Sequence, residues 1–590
     1  MDKNTIWAIV LTTLVIIGFS TFQMMTTTPV QAIDENEEAV VALDDSVETA
    51  VEAVVPETVI VDDAVIPEQE IVIDTDLIHA VFTNKGGDLV QYELKGHYDG
   101  DKLVQMVDNV SEENRAFALS FGDDIDSIVN QNFNVKKIDA NTVAFDRAFS
   151  VKNSDGTVSK FNLTKKYTFL PDEYCFKLDI SIDGDGNMKG LNINDAAYTL
   201  RSSPQIGPYY DPKKDRYENR TFMTIAKDKT KKTNIGDGAM KIYDKDFSWA
   251  AITGKYFSII GEAEDTSIIK NAVFSKNIEV NDYANAQFFL VRNPVEGKNT
   301  HDTYYFYVGP RVNKTLKMYN NAANNGWNIA NMKFDYCQQS SGILAWLEVA
   351  LKFIMEQFNK VVHNWGISII IMTILLRLAL YPLSKKSSLS SVKMQAFQPR
   401  IQELQEKYKD NKEKLNVEMS KLYQEVGYNP ASGCIPLLIQ FPLIIAMFNL
   451  FNNYFDFRGA MFIPGWIPDL SQGDSVATLG FKIPILGTNQ LRILPIIYLA
   501  SQMIYGKITQ MANPQTGSNA TTMKIMTYGL PIVFFAMFYS APSGLLIYWT
   551  LSNFLTMVQQ IFINKMVKKE KAALEAVTPK KEVFTKKTKK

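Results

Sequence analysis

The chain has 590 residues, a formal net charge of -3 from 61 Lys and Arg against 64 Asp and Glu, three cysteines and four histidines. That length exceeds one ordinary domain, and His79, His97, His301, His363 and the three cysteines show no ligand spacing, which excludes a disulfide framework and a zinc cluster. No Walker loop or Gly-rich dinucleotide turn is present, which argues against an ATPase, a Rossmann enzyme or a zinc hydrolase.

The first element is apolar. Ile6 to Met25 is interrupted only by Thr, Ser and Gln23, and suffices to cross a hydrocarbon core of roughly 30 Å at about 1.5 Å per residue. Residues 1–25 read as a first membrane span or as a signal peptide, because Val30-Gln31-Ala32 resembles a small-residue cleavage site. Residues 26–70 are acidic, with no Lys or Arg from Gln31 to Glu70, and have the composition of a disordered linker. The tail from Lys565 carries ten Lys. Opposite charge at distant points of one chain places those points in different compartments.

From 71 to 335 short alternating runs are punctuated by turn residues. Examples are Phe176-Lys-Leu-Asp-Ile-Ser-Ile before Asp183-Gly-Asp-Gly-Asn, and Tyr304-Tyr-Phe-Tyr-Val. This pattern predicts antiparallel strands and a large all-β sandwich. Cys175 and Cys337 can pair if this region is extracytoplasmic. Cys434, in an apolar run, reads as a small buried hydrophobe.

Residues 341–363 predict a helix, with Ile343, Leu344, Trp346, Leu347, Leu351, Ile354, Met355, Phe358 and Val362 at three- and four-residue steps. Lys352, Glu356, Gln357 and Lys360 interrupt the run, so the helix is expected to lie along a membrane surface. Five apolar segments follow, at about 366–383, 430–451, 489–506, 523–541 and 543–563, making six spans with the first. The loop 384–429 carries nine Lys and Arg, whereas 452–488 has Arg458 and Lys482 against Asp456, Asp469 and Asp474. The positive-inside rule then puts both termini in the cytoplasm and the β domain outside. Residues 384–428 form a candidate helical hairpin, either a partner-binding arm or a cytoplasmic cap. The tail 566–590 suits anionic lipid, ribosomal RNA or simple topology setting. Two spans have short apolar cores, Ile493 to Tyr505 and Ile525 to Tyr539, against about 20 residues usually needed, which predicts local bilayer thinning.

Arg377 stands in an otherwise apolar segment. Such a residue costs about 2.5–3.5 kcal/mol on insertion scales and faces a protein interior or a wet cavity, unless it snorkels roughly 9 Å to the cytoplasmic end. Thr373 is one turn away on the same face; Gln440 and Asn449 interrupt the third span and Gln502 the fourth; Tyr548, Trp549, Ser552 and Asn553 lie in the sixth, with Gln559 and Gln560 beyond. These groups serve either as helix–helix glue or as the wall of a groove open to the cytoplasm.

Four motifs carry a family resemblance. They are Asn429-Pro-Ala-Ser-Gly-Cys434-Ile-Pro436-Leu-Leu-Ile-Gln440-Phe-Pro442, Phe397-Gln-Pro399-Arg-Ile-Gln402, Arg377 followed by Tyr381-Pro382-Leu383, and Ala541-Pro-Ser-Gly-Leu545 with Tyr548, Ser552-Asn553 and Gln559-Gln560. In this order, over about 340–565, they resemble the YidC-type membrane protein insertases, in the Gram-negative form with a large periplasmic domain. The resemblance implies a polytopic α-helical protein of the inner membrane, with a five-helix core at 364–565, and no enzyme, cofactor or metal. It implies a hydrophilic groove charged by Arg377 that passes nascent membrane proteins into lipid, alone or with the Sec translocon, near the ribosome. Some relatives have Tyr where Trp549 stands, at a position implicated in substrate contact.

Overall fold

The computed structural model describes residues 59–61, 65–209, 218–276, 285–338, 344–396, 398–409, 411–426, 435–484, 486–512 and 525–577. The expected first span, most of the acidic linker, Cys434 with the start of its motif, and the end of the basic tail lie outside them. The chain divides into two compact units, Met1–Gln339 and Ser340–Lys590.

The first unit is all-β apart from short helical turns. Its largest sheet has ten strands, with Val158–Thr168, Cys175–Gly184 and Asn299–Pro310 side by side, and it is joined by a five-stranded and a four-stranded sheet. Period-two alternation decides what each face meets. On strand Thr142–Lys152, Phe145 and Phe149 share a face. Phe145 lies 5.7 Å from Phe82 of the four-stranded sheet, and Phe149 lies 5.6 Å from Phe121 of the five-stranded sheet. Both smaller sheets therefore cover the same side of the large one. The opposite side carries Cys175, Trp249, Ile260, Tyr305 and Tyr307, closed over by Leu316, Tyr319, Phe334 and Cys337 from the end of the unit. The aromatic run Tyr304–Tyr307 is continuous because this strand is buried on both faces. Cys175 and Cys337 are buried free thiols in that one cluster.

One ion cluster lies wholly inside this unit. Lys165 Nζ donates to Asp88 Oδ1 at 2.5 Å, and Arg115 Nε to Asp88 Oδ2 at 3.1 Å. The ammonium also donates to the carbonyls of Gly86 and Phe117. Burial pushes the Lys165 ammonium down, against the opposing pull of Asp88.

The second unit is helical: α1 (Ala345–Val362), α2 (Trp365–Ala396), α3 (Gln398–Lys407), α4 (Lys412–Val426), α5 (Ile435–Asn453), α6 (Leu494–Ala512), α7 (Leu530–Phe538) and α8 (Ser543–Val577). His363 ends α1 in the left-handed conformation, its N–H returning to Asn359 O, which turns the chain into α2. The apolar segment does not stop α2: it runs past Pro382 to Ala396, because residues 384–396 hold no helix breaker. The arms of the expected hairpin are thus the shorter α3 and α4, joined by Ile401 and Leu422, both buried, and by an Arg400–Glu425 ion pair at 3.2 Å. Two stretches among the described residues are long and apolar enough to cross a membrane, Trp365–Lys386 and Ser543–Ile563, short of the six spans expected. α6 extends to Ala512, beyond its apolar core, whereas α7 has nine residues after a π-helical turn at Ile525–Gly529.

Candidate polar site between α2, α5 and α8

Arg377 meets α8. Its Nε donates to Ser552 Oγ at 2.8 Å, and its Nη2 donates to the same oxygen. Gln559, seven residues along α8 and hence on the same face, donates from Nε2 to the Arg377 carbonyl at 3.0 Å. Tyr548, one turn before Ser552, and Gln440 of α5 lie close to the same place. Polar side chains of three helices therefore gather around Arg377. Among the described residues no carboxylate pairs with Arg377. Tyr505 of α6, absent from the sequence-based set, also lies within electrostatic reach of the guanidinium.

The other expected residues stand elsewhere. Thr373 is fully buried, and its hydroxyl donates to Ile369 O of its own helix at 2.6 Å, the local bond that Thr makes in helices. Gln502 donates to the Tyr498 hydroxyl at 3.0 Å and Asn553 to Ser501 Oγ at 3.1 Å. Trp549 is buried with its ring 5.6 Å from Tyr498 and 4.6 Å from Phe538. Asn553 and Trp549 thus pack α8 on α6 and α7, whereas the Gln502 bond stays within α6. Asn449 lies nine residues beyond Gln440, roughly 13 Å along α5, where its Nδ2 donates to Glu348 Oε1 of α1 at 2.7 Å.

Leu351 and Met355 are the buried residues of α1. Glu348, Lys352 and Glu356, spaced four apart on one face, remain partly exposed and engage α5 and the residues after it. Glu356 accepts from the Tyr454 hydroxyl at 2.9 Å, and the Lys352 ammonium lies 4.7 Å from the Tyr454 ring centre. Trp346, Val349 and Phe353 are exposed on another face. The helix thus has an apolar buried stripe, a partly exposed polar row bonded to α5 and Tyr454, and an exposed apolar face.

The segment Tyr454–Asp474 seats on the first turns of three helices. Trp365 of α2 stacks edge-on with Tyr454 and Phe457. At α8, Ser543 N donates to Gln472 O and Gly544 N to Leu470 O. At α6, Asp474 Oδ2 accepts from the N–H groups of Ile493 and Leu494 and from Trp466 Nε1, at 2.8, 3.0 and 3.1 Å. Donors left over at helix starts are thus satisfied by one loop.

Apolar side chains also cover the outside of the helices. Ile374, Leu375 and Leu378 on α2, Ile496 and Ile504 on α6, Val533 on α7 and Phe554 and Phe562 on α8 are all exposed, a surface suited to lipid rather than to water. An apolar exterior around a polar, cationic interior, on a chain that also carries a separate all-β unit, defines an integral membrane protein with a large non-membrane domain. The 60Kd inner membrane protein model matches residues 357–571, and the YidC periplasmic domain model matches residues 70–336. The chain is 49% identical over 506 residues to the membrane protein insertase YidC of Treponema denticola, covering 84% of this chain and 86% of the relative. It is 40% identical over 536 residues to the same protein of Treponema pallidum, covering 85% of each. A crystal structure of active YidC insertase with its first transmembrane domain resolved aligns at 19% identity and a TM-score of 0.35, covering 86% of this chain and 94% of that one. The chain belongs to the YidC family of inner-membrane protein insertases.

Proposed function

We propose that this protein guides nascent hydrophobic segments from the cytoplasm into the inner membrane through a groove whose working charge is Arg377. The observation that carries this reading is a guanidinium held between helices by a neutral hydroxyl, with no carboxylate partner among the described residues. In a partly dehydrated site such a charge attracts an acidic segment more strongly than it does in water. The short acidic tail of a passenger is drawn toward Arg377, its apolar segment moves along α5 and α8 into lipid, and hydrophobic transfer drives release. No nucleotide enters the cycle.

In the same reading the chain has six spans and both termini in the cytoplasm. Residues 71–335 are periplasmic, and α1 lies at the membrane interface with Trp346, Val349 and Phe353 toward lipid. It works alone on small substrates and with the Sec translocon on larger ones. The hairpin and the basic tail meet the ribosome or anionic lipid. Gln440, Tyr548 and Ser552 support Arg377, whereas Trp549 and Asn553 hold α6 and α7 against α8, so a substrate reaches Trp549 only if that packing opens.

The test is reconstitution of the purified full chain in liposomes, without translocon or nucleotide, scoring protease-protected insertion of a small acidic-tailed membrane protein. Insertion well above empty liposomes supports an autonomous insertase; insertion no higher than in empty liposomes refutes it.

A further inference from the structure

We infer that Ser552 and Gln559 are positioning residues that aim the Arg377 guanidinium, so that its Nη1 edge is the one offered to an incoming acidic segment. This rests on the reading of Arg377 given above. A guanidinium is a rigid planar fork with five N–H donors. Ser552 Oγ accepts from Nε and Nη2 and so fills one edge of the fork, while Nη1 has no partner among the described residues. Ser552 is 2% exposed, so it meets a substrate only through Arg377. The two donors reach one oxygen, and Tyr548 of the same helix and Gln440 of α5 lie close by. Because that oxygen is neutral, it orients the cation without cancelling the charge, which a carboxylate at the same place would do.

Gln559 acts on the backbone. Pro382 has no N–H, so α2 loses a hydrogen bond in the turn after Arg377 and is loosened there. The bond from Gln559 to the Arg377 carbonyl ties that weakened turn to α8. Two side chains seven residues apart thus hold the same arginine, one by its head and one by its main chain. Ordinary helix–helix adhesion needs neither the forked contact nor the empty Nη1 edge.

The experiment uses the full chain in liposomes and two passengers that differ only in tail, one with Asp and Glu and the other with Asn and Gln at those positions. The readout is the ratio of acidic-tail to neutral-tail insertion. Ser552→Ala is expected to lower that ratio on the order of tenfold, the scale of one hydrogen bond to a charged group, and Ser552→Thr to restore most of it. Gln559→Leu lowers it less. Arg377→Ala combined with Ser552→Ala falls no further than Arg377→Ala alone, as coupled residues require. If Arg377→Ala lowers the ratio and Ser552→Ala reduces both passengers alike, Ser552 is packing only and the inference is overturned. An unchanged ratio in Arg377→Ala overturns the electrostatic reading itself and the positioning role with it.

Discussion

Lys165 of the β unit and Arg377 of the helical unit are cations held in different ways. In the β unit, Lys165 is wholly enclosed, yet it reaches Asp88 and two carbonyls, and Arg115 shares the same carboxylate. In the helical unit, Arg377 is held by a hydroxyl and meets no carboxylate among the described residues. The surroundings differ in the same sense. Phe82, Phe145, Phe176 and Phe306 fill the interior of the sandwich, whereas Leu375, Leu378, Phe554 and Phe562 cover the outside of the helices. Lys165 is ion-paired inside a sandwich core, whereas Arg377 sits among helices whose outer faces are apolar. That setting makes Arg377 the functional candidate, since Arg201 of the β unit is also held by neutral acceptors alone among the described residues.

Breaking the Lys165–Asp88–Arg115 cluster has the largest expected effect on stability. Asp88→Ala strands Lys165 and Arg115 in the interior and is expected to cost about 3–5 kcal/mol. It appears as lost hydrogen-exchange protection along strand Val158–Thr168; unchanged protection would show that the cluster contributes little. Asp474→Ala comes next. It removes three hydrogen bonds from one nearly unexposed carboxylate and is expected to cost about 1–3 kcal/mol, read as faster exchange of the Ile493 and Leu494 amides. Slow exchange there would mean that the loop is held without it.

A third test is a matter of pH. Burial raises the Glu262 carboxyl to about 8, and its Oε2 has no hydrogen-bond partner among the described residues. An unfolded glutamate ionises near 4.5, so between about pH 5 and 8 the unfolded state binds fewer protons than the folded one, and stability falls as pH rises. Glu262→Gln should therefore match wild type at pH 5 and melt a few degrees higher at pH 8. Equal melting at both values would place that carboxyl in water. The smallest effect is expected at the outward face of α1. Trp346→Ala should change stability by less than about 0.5 kcal/mol, while lowering the share of tryptophan fluorescence that brominated lipid quenches; an unchanged share would take that face out of the membrane.

Much of this contrast was legible in the sequence. Alternation with Gly and Asp turns marked the strands, and Arg377 marked itself by standing among Ile and Leu. Spacing also placed Tyr548 and Ser552 one turn apart. What spacing could not supply was the partner across helices. Thr373 shares a face with Arg377, but its hydroxyl closes on its own helix. Trp549 and Asn553 are aromatic or polar like the true neighbours of Arg377, yet they meet α6, and Gln502 bonds within its own helix. The bonds of Glu348 and Glu356 depend on Asn449 and Tyr454, about a hundred residues away in sequence. The length of α2 escaped because hydropathy falls at residue 384 while helix propensity does not.

The most direct test of the central claim is to measure insertion rate against the number of acidic residues in the passenger tail, from none to four, for wild type, Arg377→Lys and Arg377→Ala. The uncompensated charge predicts a rate that climbs with each acid in wild type, climbs less steeply with Lys, and is flat with Ala. The same climb in Arg377→Ala would contradict it and assign the attraction of acidic tails to another part of the molecule.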